Sequence, residues 1–207
     1  MSRTIAILTD FGYQDNYAGI MKGVIRTISP FADIIDINHG IPLGDIKVAS
    51  INLESSYAYY PRNTIFLCVV DPGVGSSRRA IAVEADGRFF VAPDNGLLTP
   101  ILNKGKVFQA VSLTNTNYHL YNPSHTFHGR DIFAPVAAHI SMKVELHELG
   151  ELIDIASLVT LDNDSKTVNG DFQGQIIHND IYGNSITDIT ADWADKKKRS
   201  KDLSCRV

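Results

Sequence analysis

Apolar residues in the first 150 positions alternate between short continuous runs and patterns spaced by three and four. Thr4–Thr9 (TIAILT) is an isoleucine-rich run that stops at Asp10-Phe11-Gly12, as expected of a strand buried on both faces. Ala18, Met21, Val24, Ile25 and Ile28 then recur at helical spacing until Pro30, which predicts an amphipathic helix. Ile34–Ile37 reads as a second short strand. Asp45 is placed to cap a helix running through Val48, Ile51, Leu53 and Tyr57 to a stop at Pro61. Thr64–Val70 (TIFLCVV) carries the strongest strand signal in the chain. Further strands are expected at Ala80–Glu84, Arg88–Val91 and Val107–Val111, and a helix over Asp131–Met142.

Strands alternating with helices predict an α/β domain over residues 1–160, with a largely parallel sheet covered by helices on both faces. Ligands of such sheets sit beyond the carboxyl ends of the strands. The polar clusters fall there: Asp10 closes the first strand, Asn38-His39 the second, Asp71 the third and Pro93-Asp94-Asn95 a later one. They are read as one site. From about Thr160 the pattern changes. Leu161–Ser165 (LDNDS) reads as a linker, and Gly174–Ile189 as short β segments around a tight turn at Gly183-Asn184. The final ADWADKKKRSKDLSCRV has no apolar periodicity and reads as a solvated tail. Residues 161–207 are therefore expected to form a small, partial β domain.

Composition narrows the class. Of the 207 residues 44% are hydrophobic and 20% charged, which fits an ordinary globular protein, and the net charge of -4 offers no footprint for nucleic acid. The apolar run at the N-terminus is too short for a signal-peptide core or a membrane span. Two cysteines, Cys68 in an apolar run and Cys205 in the polar tail, suggest no disulfide framework and no zinc site. A cytoplasmic protein is expected.

Two segments carry candidate chemistry. VVDPGVGSSRR (Val69–Arg79) puts a carboxylate at a strand end, then a turn with two glycines, then two arginines. A turn in which Asp71 merely satisfies backbone donors would read the same way. The lysine-hydroxyl pair of a phosphate-binding loop is absent. In SHTFHGRDIFAP (Ser124–Pro135), His125, His128 and Asp131 have the spacing of helical metal ligands, but a capped helix start gives the same letters, and no metal is expected. Asp94-Asn95-Gly96 suits either a hairpin or an active-site loop. These residues alone imply an α/β enzyme with an Asp/Arg/His site.

Taken in order, LTDFGYQDNYAGIMKGVI, IIDINHGIP, VVDPGVGSSRR, APDNGLLTP and TFHGRDIFAP resemble the S-adenosyl-L-methionine hydrolase (adenosine-forming) family, which is related to the fluorinase and chlorinase enzymes. The segment Asp180-Ile181-Tyr182-Gly183-Asn184 resembles the Asp-x-Phe-Gly-Asn pattern near the start of that family's C-terminal β-barrel, with tyrosine replacing phenylalanine. The resemblance implies a water-handling set at Asp71, Arg78 and His128. It implies a ribose-binding aspartate at Asp10, with Asp94, Asn95, Phe127 and Gly129 as further substrate-binding positions. Adenosyl contacts from the second domain fall on Asp180, Tyr182 and Asn184. It also implies a homotrimer, with ligand held between one subunit's large domain and its neighbour's small one.

Hydrolase and halogenase part at two positions. The halogenases carry a tyrosine where this chain has Asp71 and a halide-contacting serine where it has Gly129; the extra loop of the fluorinase is also absent. A carboxylate repels halide and accepts a hydrogen bond from water, so the expected reaction is hydrolysis of S-adenosyl-L-methionine, a substrate rather than a cofactor, to adenosine and methionine. Asp71 and His128 are expected to orient the water and take its proton, with Arg78 keeping the carboxylate ionised. The alternative expectation is a binding-only or impaired adenosyl-ligand protein, because the second domain reads as incomplete.

Overall fold

The computed structural model describes residues 3–162, 166–168 and 171–189. The chain divides into two compact units, residues 1–161 and 162–207. The first unit is built on a seven-stranded sheet of order β2-β1-β3-β5-β4-β6-β7. Its strands are β1 (Thr4–Thr9), β2 (Asp33–Asn38), β3 (Ile65–Val69), β4 (Ala80–Ala85), β5 (Arg88–Pro93), β6 (Val107–Ser112) and β7 (Glu151–Leu152). β2, β1, β3 and β5 run parallel, while β4, β6 and β7 extend the sheet antiparallel. The parallel half carries the candidate site.

Alternation within each buried strand sends side chains to opposite faces. Ile5, Ile7, Ile65, Leu67, Val69 and Val91 pack with Met21 and Ile25 of α1 (Tyr17–Ile28) and with Val136, Ala137 and Ile140 of α4 (Ala134–Ser141). On the other face lie α2 (Ile46–Tyr57) and α3 (Thr99–Lys104). There Phe66 and Phe90 stack at 5.1 Å, edged by Tyr60 and by Tyr57 of α2. Helices thus cover both faces, and the strands read as unbroken apolar runs for that reason. Asp45 caps α2 as its position suggests, accepting from the Val48 N–H at 3.0 Å. The six residues of α3 carry no helical period in the sequence, and β7 is two residues long; both arise from packing rather than pattern.

The helix expected at Asp131–Met142 begins differently. Gly129–Phe133 form a π-helical turn, in which the Ala134 N–H reaches back to the Gly129 carbonyl, and α4 follows. Pro135 has no N–H with which to continue a regular ladder, so the register changes beside it. The turn directly follows His128.

In the second unit β8 (Lys166–Val168) pairs antiparallel with β9 (Asp171–Gln173), and β10 (Ile176–Asn179) with β11 (Ser185–Thr187). These are two-stranded ladders among the described residues. The expected linker positions 163–165 and the charged tail from residue 191 lie outside the described residues.

Phe66 is fully buried and stacked on Phe90, so Phe66→Ala should cost about 3–5 kcal/mol of stability. Urea unfolding checks this; an unchanged midpoint would contradict the packing described for that face.

Candidate active site

Parallel register aligns the strand ends. Thr9 pairs with Val69 and Leu8 with Asn38, so Asp10 and Asp71 emerge at the same edge of neighbouring strands. Beyond β5, Asn95 reaches across, donating from its amide to the Val70 carbonyl at 2.9 Å while its oxygen accepts from Leu97 N–H. The residue before Asp71 is thereby tied to the β5 end.

From Asp71 the chain turns through Gly73 and Gly75 and returns Arg78 onto the carboxylate. Arg78 Nε lies 2.9 and 3.0 Å from the two Asp71 oxygens, and Nη2 also bonds to Oδ2. The same Nη2 donates to His128 Nδ1 at 2.8 Å. The two charged side chains are only 5% and 10% exposed, and the guanidinium also lies over the Phe133 ring. Gly75 (φ +78°) makes the closure possible: a Cβ there would stand 2.4 Å from the His125 carbonyl oxygen. The glycine thus lets the arginine loop close on the segment that bears His128.

A guanidinium only donates. His128 Nδ1 must therefore accept, and the proton of the neutral ring sits on Nε2. Burial first, and then the nearby Arg78 charge, push the His128 pKa below its ordinary value, although Asp71 and Asp131 oppose this. While the bond to Arg78 persists, Nε2–H is a donor and cannot take up a second proton. This departs from the expectation that His128 shares the proton with Asp71.

Asp10 accepts from the Gly44 N–H at 2.8 Å through Oδ2. Burial raises its pKa, with the Asp71 charge adding to the effect and the Gly44 bond opposing it. Asp10 and Asp71 therefore share one electrostatic environment. The other strand ends brace it. Thr9 Oγ1 lies 2.7 Å from His39 Nδ1, whose Nε2 is 3.1 Å from Asp36 Oδ1. Asn38 bonds to Asn52 and to its own turn at Gly40.

Asp94 is not brought into this cluster. Its Oδ2 accepts from Arg79 Nε at 2.8 Å and its Oδ1 from the Val159 N–H at 2.9 Å, while Arg79 also donates to Ser157. The two consecutive arginines thus point to different tasks, Arg78 to the site and Arg79 to a structural clamp. Nor do His125, His128 and Asp131 converge as metal ligands would. His125 is exposed, and Asp131 pairs with Arg130 and accepts from the Ser124 N–H.

Beside the triad stands an aromatic cluster of which only Phe127 is among the positions that the resemblance implies. Phe127 meets Tyr17 at 5.3 Å and Phe11 at 5.8 Å, both edge-on. Gly129 is buried beneath them; a Cβ there would come within 3.2 to 3.4 Å of Phe127, Met21 and Phe11. Phe11 and Tyr17 lie in the turn after β1 and the start of α1, where an aromatic gives no periodic signal. His119 was also passed over. Its buried Nε2 has no hydrogen-bond partner among the described residues, and burial and the His128 charge lower its pKa.

In the second unit Asp180 serves its own turn. Its Oδ1 accepts from the N–H groups of Tyr182 and Asn184, and its Oδ2 from the Asn184 amide at 2.7 Å. Gly183 supplies the positive φ of +87°, and the Tyr182 ring is left 84% exposed.

Comparison with known proteins places this geometry in a family. Residues 5–150 match the N-terminal domain of SAM hydroxide adenosyltransferase. A (R)-S-adenosyl-L-methionine hydrolase of Salinispora arenicola is 37% identical over 182 residues, covering 87% of this chain and 69% of the relative. One from Thermus thermophilus is 32% identical over 200 residues, covering 90% and 74%. A fluorinase of an Actinoplanes species is 25% identical over 89% of this chain and 71% of its own. A crystal structure of a conserved Thermotoga maritima protein superposes with a TM-score of 0.86 at 40% identity, covering 94% of this chain and 74% of that one. The chain belongs to the SAM hydroxide adenosyltransferase family.

Proposed function

We propose that this chain hydrolyses S-adenosyl-L-methionine to adenosine and L-methionine by in-line attack of water at the ribose C5′ carbon. The observation that carries the reading is the Asp71 carboxylate, held at a strand's carboxyl end by Arg78 and backed by His128. The leaving group is a neutral thioether released from a sulfonium, so no general acid is needed. What the reaction needs is a water placed and polarised. Asp71 accepts the water's hydrogen bond and takes its proton. Arg78 holds that carboxylate in one orientation, and His128 donates from Nε2–H to the oxygen. Holding nucleophile and carbon in line supplies roughly 7–11 kcal/mol in favourable cases. The positive charge on sulfur disappears along the path, so a partly desolvated site favours the transition state.

Asp10 is assigned to the ribose hydroxyls through the oxygen that Gly44 leaves free. Asn95 supports the site through Val70, and Asp94 through the Arg79 clamp rather than by touching substrate. Phe127 and Gly129 are assigned to the substrate's sulfonium side. A serine at position 129 would crowd Phe127, Met21 and Phe11, and a carboxylate at 71 repels halide; both favour water over a halide as nucleophile. In the second unit the Asp180–Asn184 turn would present the exposed Tyr182 ring to an adenine, completing a partial β-barrel. That pocket is proposed to lie between the large domain of one subunit and the small domain of its neighbour in a homotrimer. No cofactor enters the scheme, and a buried free thiol at Cys68, its pKa pushed up by burial, suits a reducing cytoplasm.

Incubation of the full chain with S-adenosyl-L-methionine should release adenosine and methionine in equal amounts, measured by chromatography; binding without product would instead indicate an adenosyl-ligand protein. Asp71→Asn and Arg78→Ala should each lower kcat by about 10²-fold or more while ligand binding persists. Arg79→Ala should lower thermal stability and leave the chemistry largely intact. If Arg79→Ala were the inactive variant, the assignment of the two arginines would be wrong.

The His128 pKa is displaced below 6.5, so the neutral ring persists as the pH falls through the ordinary histidine range. The acid limb of kcat should therefore lie below pH 6.5. A limb centred above that value would refute a neutral donor role for His128.

A further inference from the structure

A polar cavity lies at the opposite end of the sheet from Asp71. Its volume is about 480 Å³, and it is lined by Arg3, Thr4, Pro61, Arg62, Asn63, Thr64 and Lys143. Arg3 and Thr4 open β1, Asn63 and Thr64 lead into β3, and Lys143 follows α4. The cavity is therefore walled by the amino ends of the same two strands whose carboxyl ends bear Asp10 and Asp71.

Three lining residues are cationic and none is acidic, in a chain whose net charge is -4. Among the described residues no ion pair neutralises them. Arg3 uses one nitrogen on the Ile140 carbonyl and lays its guanidinium 4.3 Å from the Phe89 ring centroid, which leaves further N–H groups to give. Asp33 accepts from the Thr4 hydroxyl rather than from any of the three cations. Thr64 is the one buried residue of the lining. It is 2% exposed, and its hydroxyl has no hydrogen-bond partner among the described residues. A buried hydroxyl left without a partner costs about 1–3 kcal/mol, and because this oxygen is sealed from solvent it is a cost of the fold rather than a contact offered to the cavity.

We propose that this cavity binds a phosphate-bearing anion, with Arg3, Arg62 and Lys143 supplying the charge and the N–H donors. Charge-assisted bonds from a planar guanidinium and an ammonium suit tetrahedral oxyanions. The volume exceeds that of one phosphate group, so a diphosphate or a phosphate joined to an organic group fits better than orthophosphate. The site is separate from the proposed hydrolysis and does not rest on it.

The test is titration of the full, isotope-labelled chain with inorganic pyrophosphate at low salt, followed by amide NMR, with orthophosphate and chloride at matched ionic strength alongside. Expected are saturable shifts at Arg3, Asn63 and Thr64, tighter for pyrophosphate than for orthophosphate, and absent with chloride. An Arg62→Ala, Lys143→Ala double variant should weaken pyrophosphate at least tenfold. Thr64→Val, which keeps the shape and removes the stranded hydroxyl, should keep or raise Tm and leave pyrophosphate binding unchanged. Asp71→Ala should leave this binding unchanged. Equal shifts from chloride, unaltered affinity in the double variant, or displacement of pyrophosphate by S-adenosyl-L-methionine would each overturn the proposal.

Discussion

An aspartate and an arginine, nearly withdrawn from water, face each other at the end of β3 with three nitrogen–oxygen contacts between them. Such a pair loses much hydration on burial and regains it only through good geometry; deleting one partner would strand the other's charge. The surrounding structure supplies that geometry. The strand fixes Asp71, the glycine turn returns Arg78, and the π-turn segment brings His128 to the arginine's remaining edge. Once Arg78 has donated to Nδ1, the histidine tautomer follows. Division of labour within the site therefore stems from the arginine, a group that can only donate hydrogen bonds.

The remaining strand ends hold this arrangement rather than enlarge it. Asn95 ties the residue before Asp71 to β5, and Asp94 with Arg79 anchors the segment around Ser157 and Val159. Thr9 and His39 lock the turn that leads out of β1. Polar residues at four carboxyl ends do gather at one edge, but only Asp10 and Asp71 keep carboxylate capacity for a ligand. A buried carboxylate that already accepts from an arginine and a backbone amide, as Asp94 does, has little left to offer substrate.

Glycine and aromatic residues set the other boundary. Gly129 lies so close under Phe127, Phe11 and Met21 that even one carbon must displace a neighbour, so the floor beside the triad is apolar and tight. The opposite end of the sheet is cationic and carries an unsatisfied hydroxyl. The parallel strands β1 and β3 thus present carboxylates at their carboxyl ends and guanidinium and ammonium groups at their amino ends, so the two ends offer different chemistry.

The sequence by itself determined the strands, the two main helices and the segments that meet at the site, because buried parallel strands and amphipathic helices leave strong local periodicities. It also delivered Asp71, Arg78, His128 and Asp10, through five ordered segments whose joint occurrence is specific. That Arg79 turns away to Asp94 was decided in space, since adjacent residues share the same local pattern. The start of α4 as a π turn, the cluster of Phe11 and Tyr17 on Phe127, and the stranded hydroxyl of Thr64 were likewise invisible in one dimension. Each depends on what stands opposite a side chain across tens of residues of chain. The His128 tautomer is the clearest case: the letters name a base, and only the contact with Arg78 makes it a donor.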